Sequence, residues 1–192
     1  MSFQRHESGA STGKVLLGCA IVAVVLLIAA GVGGYFFIKN TMVTEPAQVE
    51  SLVGEIAPGA KLPAGYSGKF GMHIMGMKIA FVTGKAPGSF IMAASAPEKN
   101  VGQLDSQMSM QMEKQQQKKG GKRELLGTEK LPVGGKEVMF QKHKISGEGT
   151  ALLEYKGRLP VHEGNVVVLV FQGPEKGFDE AGMKSFLASI KR

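Results

Sequence analysis

The chain contains 192 residues, carries a net charge of +7, and has a single cysteine and an aromatic content of 7%. Because Cys19 is that single cysteine, the rest of the chain can form neither an internal disulfide nor a thiol nucleophile. The low aromatic content disfavours a carbohydrate site built on stacked rings. The basic balance instead favours an anionic partner.

The first element in chain order is an apolar run at residues 15–38 that contains no charged residue. At about 1.5 Å rise per residue this run makes a helix of roughly 36 Å, enough to cross a hydrocarbon core of about 30 Å. It therefore predicts one transmembrane helix whose partner is the lipid bilayer. A cleavable signal peptide is the alternative, but its apolar region usually has only about 7 to 15 residues, so the run favours an uncleaved anchor. Ala30 and Gly34 in the run would allow two anchors to pack as a homodimer.

The charges around the run predict its orientation. Arg5 and Lys14 precede it, whereas Lys39 alone follows it closely. By the positive-inside rule, residues 1–14 form a cytoplasmic tail and the C-terminal part lies outside the cytoplasm. We therefore expect a single-pass protein of the cell envelope, with a bacterial inner membrane as the expected location.

Residues 39–61 are predicted to be a juxtamembrane linker that contains a short amphipathic helix. The apolar residues that follow Pro46 recur at the i, i+3, i+4 and i+7 spacing of a helix face: Val49, Leu52, Val53 and Ile56. Turn residues from Pro58 onward end this helix. The remaining residues, 62–192, are numerous enough for one domain with its own core.

Residues 62–192 are predicted to form one extracytoplasmic domain. The segments with the period-two alternation of strands are 72–83, 89–95, 123–131, 136–146, 151–159 and 165–172. A helix that begins at Asn100 follows the second segment, and Asp179 caps a last helix. The order ββαββββα predicts an α+β fold, in which the transmembrane helix is followed by one mostly antiparallel sheet covered by helices.

The ending NVVVLVFQGPEKGFDEAGMKSFLASIKR is a strand that runs through a loop into a terminal helix of the type F-L-x-S-I. Together with the strand order around a mid-chain helix, this ending resembles the sandwich domains of the PsbP extrinsic photosystem protein and its bacterial membrane-anchored relatives of unknown function. The resemblance covers about half of the domain. It implies a PsbP-like sandwich that acts as a non-enzymatic binding or accessory domain, and it implies no particular site residue.

Catalytic motifs are missing from the sequence. The histidines match no metal-ligand spacing such as H-x-x-x-H or H-E-x-x-H: they are His6, His73, His143 and His162. No serine lies in a G-x-S-x-G motif, and the glycines form neither a P-loop nor a dinucleotide fingerprint. Asp105 and Asp179 lie at or near predicted helix starts, where a carboxylate has a structural role. The sequence therefore predicts a non-catalytic domain without a cofactor.

Methionine supplies one hypothesis about chemistry. In the segment GMHIMGM, a single strand would project His73, Met75 and Met77 to one face. An imidazole and two thioethers suit a soft cation such as Cu(I), so this row predicts a metal-handling site. The alternative is that the same row packs under a helix as part of an apolar core, since methionine commonly fills irregular cores.

Charge supplies a broader hypothesis. From Pro58 onward the chain has 17 Lys and 3 Arg against 12 acidic residues, a net charge of +8. The cations of its densest basic stretch, KQQQKKGGKR, are Lys114, Lys118, Lys119, Lys122 and Arg123. They predict contact with anionic lipid or an acidic envelope polymer, although they would equally complement a helix dipole and keep a loop solvated. Nucleic acid is a poor candidate because the basic and aromatic platform it uses is missing.

Overall fold

Eight strands pair into one antiparallel sheet. The computed structural model describes residues 41–74, 76–102, 106, 110, 121–147 and 149–191. The strands are β1 Met42–Val43, β2 Ser67–Ile74, β3 Met77–Thr83, β4 Phe90–Pro97, β5 Lys122–Val133, β6 Lys136–Ser146, β7 Leu152–His162 and β8 Asn165–Pro174. They lie in the order β1-β2-β3-β4-β8-β7-β6-β5. The last strand, β8, therefore lies in the middle of the sheet between β4 and β7, and β5 forms one edge.

Two helices cover one face of this sheet, α1 at Pro46–Ile56 and α2 at Glu180–Ser189. Pro46 suits the first turn of α1 because its missing N–H has no helical partner there. At α2, a carboxylate oxygen of Asp179 accepts a hydrogen bond from the Gly182 N–H at 2.9 Å, which caps the helix as predicted. The apolar faces of both helices join the same buried core as Phe140, Tyr155 and Leu169 of the sheet.

Close approach of α1 to the sheet depends on glycine. A Cβ atom at Gly68 would lie 2.5 Å from the Pro46 carbonyl oxygen and 2.6 Å from Val49 Cβ, so a side chain there would displace the helix. The four apolar residues predicted for the helix face are all buried: Val49, Leu52, Val53 and Ile56. The helix assigned to the linker is therefore part of the core of the folded unit that begins at Met42.

The opposite face of the sheet has a smaller apolar cluster. Its buried members are Ala94, Ala96, Val101, Val166, Val168 and Val170. Val101 follows a short 3-10 helix at Glu98–Asn100, in which the predicted N-cap Asn100 is the last residue. Most of the predicted mid-chain helix lies outside the described residues.

The predicted fold class is wrong. In place of an α+β sandwich behind a transmembrane helix, the described residues form mainly one eight-stranded antiparallel sheet, with 52% of them in strands and 22% in helices. No helix among the described residues is long and apolar enough to span a membrane. The predicted transmembrane helix at 15–38 and tail at 1–14 lie outside the described residues.

The segment from 72 to 83 also differs from the prediction, because it is two strands and not one. Gly76 has a φ of 78° and turns the chain, so that Ile74 pairs with Met77 and His73 pairs with Lys78. Glycine adopts this left-handed conformation without the steric cost that a Cβ would bring. Because the apolar alternation continues across the turn, the periodicity of the sequence does not reveal that a turn is present.

Candidate functional site

The hairpin separates the residues of the predicted soft-metal site. His73 is exposed on β2, and Met77 begins β3 opposite Ile74. Because paired residues share a face and neighbours along a strand alternate, His73 and Met77 point to opposite faces of the sheet. Met75 lies outside the described residues. The structure therefore does not bring His73 and Met77 together, and the metal hypothesis stays a prediction.

The residues predicted to contact an anionic surface fall into two groups. Lys114, Lys118 and Lys119 lie outside the described residues. Lys122 and Arg123 begin β5, and their environments differ: the Lys122 side chain is exposed, whereas Arg123 is only partly exposed and turns onto the sheet. The structure thus assigns Arg123 to an internal contact.

Arg123 belongs to a polar cluster with His143 of β6 and Glu154 of β7. Register pairs His143 directly with Glu154, on the face of the sheet opposite α1 and α2. Arg123 Nη2 donates to Glu154 Oε1 and lies 3.1 Å from His143 Nδ1. His143 Nδ1 lies 3.8 Å from Glu154 Oε1, and the Glu154 side chain is only 1% exposed. We call these three residues the polar cluster.

The hydrogen bonds of the polar cluster identify its protonation state. A guanidinium group has donors and no acceptor, so Nδ1 of His143 must accept the hydrogen bond from Arg123. His143 is therefore neutral, with its ring proton on Nε2. Burial lowers the pKa of His143 below its usual value, and the positive charges of Arg123 and Lys156 lower it further, while Glu154 acts in the opposite direction.

Two atoms of the polar cluster are buried without a hydrogen-bond partner among the described residues, namely Arg123 Nε and Glu154 Oε2. Burying an unsatisfied polar atom costs about 1–3 kcal/mol, so a native fold usually supplies a partner such as an ordered water molecule. Among the described residues, no three His, Cys, Asp or Glu side chains are grouped so that they could hold a metal ion.

Exposed apolar side chains lie on β5 and β6. Leu125 and Leu126 are 56% and 48% exposed at the bulge of β5, and Met139 of β6 is 52% exposed. In the described sheet, β5 pairs only with β6, so this apolar group lies at the edge of the sheet. Lys130 of the same strand forms an exposed ion pair with Glu137 at 3.4 Å.

A depression at the end of β5, the beginning of β6 and the end of β7 is too small to bind a substrate. It offers about 30 Å³, enough for one or two water molecules. Its floor is apolar, and Lys136 and His162 lie at its rim. We therefore assign no reaction to it.

Comparison with known proteins assigns no family. No protein-family model matches the chain, and no curated protein matches it either. The resemblance to PsbP-like domains therefore stays a prediction.

Sequence reasoning missed His143 and Glu154 because neither belongs to a motif. The two residues are brought opposite each other by the pairing register of β6 and β7, which spacing along the chain does not encode. One signal was present: Glu154 lies inside a strand that also carries Leu152, Leu153 and Tyr155. A carboxylate in such an apolar strand is rarely buried without a cationic partner.

Proposed function

We propose that this protein is a membrane-attached, non-catalytic binding domain that contacts anionic lipid headgroups. Attachment would be through the apolar run at residues 15–38, and contact would be through the beginning of β5 and the basic segment before it. We call that contact region the basic edge and define it by Lys114, Lys118, Lys119, Lys122, Leu125 and Leu126. Arg123 is not included, because Glu154 already holds its charge.

The combination of exposed leucines and lysines carries this proposal. Leu125 and Leu126 lie three and four residues after the exposed Lys122, at an edge of the sheet. Apolar side chains gain free energy at the boundary between headgroups and acyl chains, whereas an acidic polymer in water offers them no such environment. The pair of leucines therefore favours lipid over an envelope polymer.

The expected energies are adequate for a domain that is already tethered. A lysine near an anionic leaflet contributes about 1 kcal/mol, so the four lysines of the basic edge would contribute on the order of 4 kcal/mol. Each half-exposed leucine would add about 1 kcal/mol on insertion. Since the anchor would hold the domain beside the bilayer, contact would not have to offset the full entropy of association.

The proposal can be tested with a fluorescent probe at the basic edge of the full-length protein. In a Cys19→Ser background, an environment-sensitive dye on Leu126→Cys is compared with the same dye on Ala181→Cys, an exposed position of α2. The protein is reconstituted into phosphatidylcholine vesicles with or without phosphatidylglycerol. We expect a blue shift at position 126 only with phosphatidylglycerol, and a smaller shift at high salt because screening weakens the attraction.

Variants and competing ligands separate the alternatives. Replacing the four lysines of the basic edge by glutamine should abolish the shift without changing the emission at position 181. A shift caused by a soluble polyanion in neutral vesicles would favour the envelope polymer instead. An unchanged spectrum in all vesicles would rule out lipid contact by this edge.

A further inference from the structure

At the beginning of β5, backbone pairing with β6 and the side-chain contacts of Arg123 attach the strand to the sheet. Around it, the side chains of Lys122, Glu124, Leu125 and Leu126 are all exposed. A bulge between Leu125 and Gly127 separates this first segment, residues 122–126, from the regular pairing that follows. Because an edge strand has backbone partners on one side only, the first segment has only β6 to pair with in the described sheet.

The contact between Arg123 and His143 requires an unprotonated His143. Its Nη2 group donates to both Glu154 Oε1 and His143 Nδ1. A proton on Nδ1 would place an N–H group and a positive charge 3.1 Å from the guanidinium nitrogen. Two positively charged donors cannot bond each other, so the contact would become repulsive.

We propose that His143 is an acid-sensitive contact whose protonation releases the first segment of β5 from the sheet. The imidazolium takes Glu154 as its partner, since Nδ1 and Oε1 are 3.8 Å apart and a small ring rotation closes that gap. Arg123 then loses one acceptor and competes for the other. No covalent bond changes; one proton moves from solvent to His143.

Charged groups of both neighbouring strands face His143. On the face of the polar cluster, β5 contributes Arg123 and β7 contributes Glu154 and Lys156, while β8 places the uncharged Gln172 opposite Glu154. Two of these groups are cationic, and they oppose protonation of His143 at neutral pH. Once His143 is protonated, Arg123 and the imidazolium share the Glu154 carboxylate, which weakens the bond that Arg123 makes.

Release of residues 122–126 would also strengthen membrane contact. This effect on membrane contact rests on the proposed function, whereas the release itself does not. A detached Arg123 adds its charge to the basic edge, and residues 122–126 become free to follow the lipid surface. Acid would then strengthen contact with anionic lipid. The release itself requires no lipid and is measured without any.

Hydrogen exchange of the full-length protein in neutral detergent micelles tests the release. Amide protection, corrected for the intrinsic pH dependence of exchange, is compared at pH 7.5 and at a pH low enough to protonate His143. We expect protection of residues 122–126 to fall at least about tenfold, with no change at residues 128–133 of the same strand. In His143→Gln, the protection should not depend on pH, whereas the control His162→Gln, an exposed histidine, should behave as the unmodified protein.

The ring titration of His143 provides a second measurement that needs no variant. We expect the loss of protection to have the same midpoint as the His143 resonance followed by NMR. Protection that is independent of pH, or a midpoint that differs from that of His143, would overturn the proposal. Because no vesicles are present, either result leaves the proposed lipid contact to be judged by the dye experiment.

Discussion

The clearest test of the packing is the substitution Gly157→Ala in β7. Gly157 lies directly opposite Phe140 of β6, and the aromatic ring covers its α-carbon. A Cβ atom at position 157 would lie 2.5 Å from both Cδ1 and Cζ of Phe140. Carbon atoms in van der Waals contact are about 3.5–4.0 Å apart, so the ring would have to move by about 1 Å.

The surroundings of Phe140 determine how much stability the Gly157→Ala variant loses. Its side chain is completely buried and its ring centroid lies 6.4 Å from that of Phe171, so the ring has no free space to enter. Overpacking of a well-filled core costs about 1–3 kcal/mol, and we expect the upper end, about 3 kcal/mol. For a domain of this size, that loss lowers the melting temperature by about 6–12 °C.

The assay is thermal and urea unfolding of the full-length protein in non-ionic detergent, followed by circular dichroism. The matched control is Gly54→Ala in α1, where a Cβ would have nothing within 4 Å. Alanine has the higher helix propensity, so this control should be neutral or more stable by up to about 1 kcal/mol. The double variant Gly157→Ala with Phe140→Leu should lose less stability than the sum of its single variants, because leucine leaves room for the new methyl group.

A change below about 0.5 kcal/mol for Gly157→Ala would refute this account of the β6 and β7 pairing. So would strict additivity in the double variant. Either result would mean that Phe140 does not cover Gly157 in the way the structure describes.

Three further predictions concern the polar cluster and the topology. Glu154→Gln leaves Arg123 without its carboxylate and should lower the free energy of unfolding by about 3 kcal/mol in urea titrations, whereas a loss below about 1 kcal/mol would show that the pair is not desolvated. Because the pKa of His143 is lowered in the folded state, the folded protein binds fewer protons than the unfolded chain as the pH falls. The contribution of His143 to the free energy of unfolding is therefore fully present above the unfolded pKa of about 6.5 and is lost as pH falls below it. His143→Gln should flatten that dependence, and an equally steep decline in the variant would contradict the assignment. In a Cys19→Ser background, Lys122→Cys should react with a membrane-impermeant thiol reagent on intact cells; labelling only after lysis would place the domain in the cytoplasm.

Local elements were predictable where one segment carried its own signal. The apolar spacing after Pro46 predicts a short helix that ends before Pro58, and the helix is Pro46–Ile56. The strand predicted at 136–146 coincides with β6. The cap by Asp179 is present, with Phe178 packed against the core at 5.2 Å from the Tyr155 ring. In each case the signal lies within one turn, one strand or one capping bond.

Errors arose where the decision depended on a partner segment. The turn at Gly76 has apolar residues on both sides, so alternation along the chain cannot distinguish one long strand from a hairpin. Whether this segment forms one strand or a hairpin depends on the free energy gained when β2 and β3 pair. The packing of α1 also depends on a partner segment, since the small size of Gly68 has meaning only once Val49 packs over it.

The basic balance of the chain, its single cysteine, the apolar run at 15–38 and the local periodicity of most strands and helices can be read from the amino-acid order alone. The strand order, with β8 between β4 and β7, and the contact of Arg123 with His143 and Glu154 emerge only when the chain is folded. The physical reason is that periodicity and capping are properties of neighbouring residues. The register between distant strands depends instead on which side chains fit together once water is removed from between them.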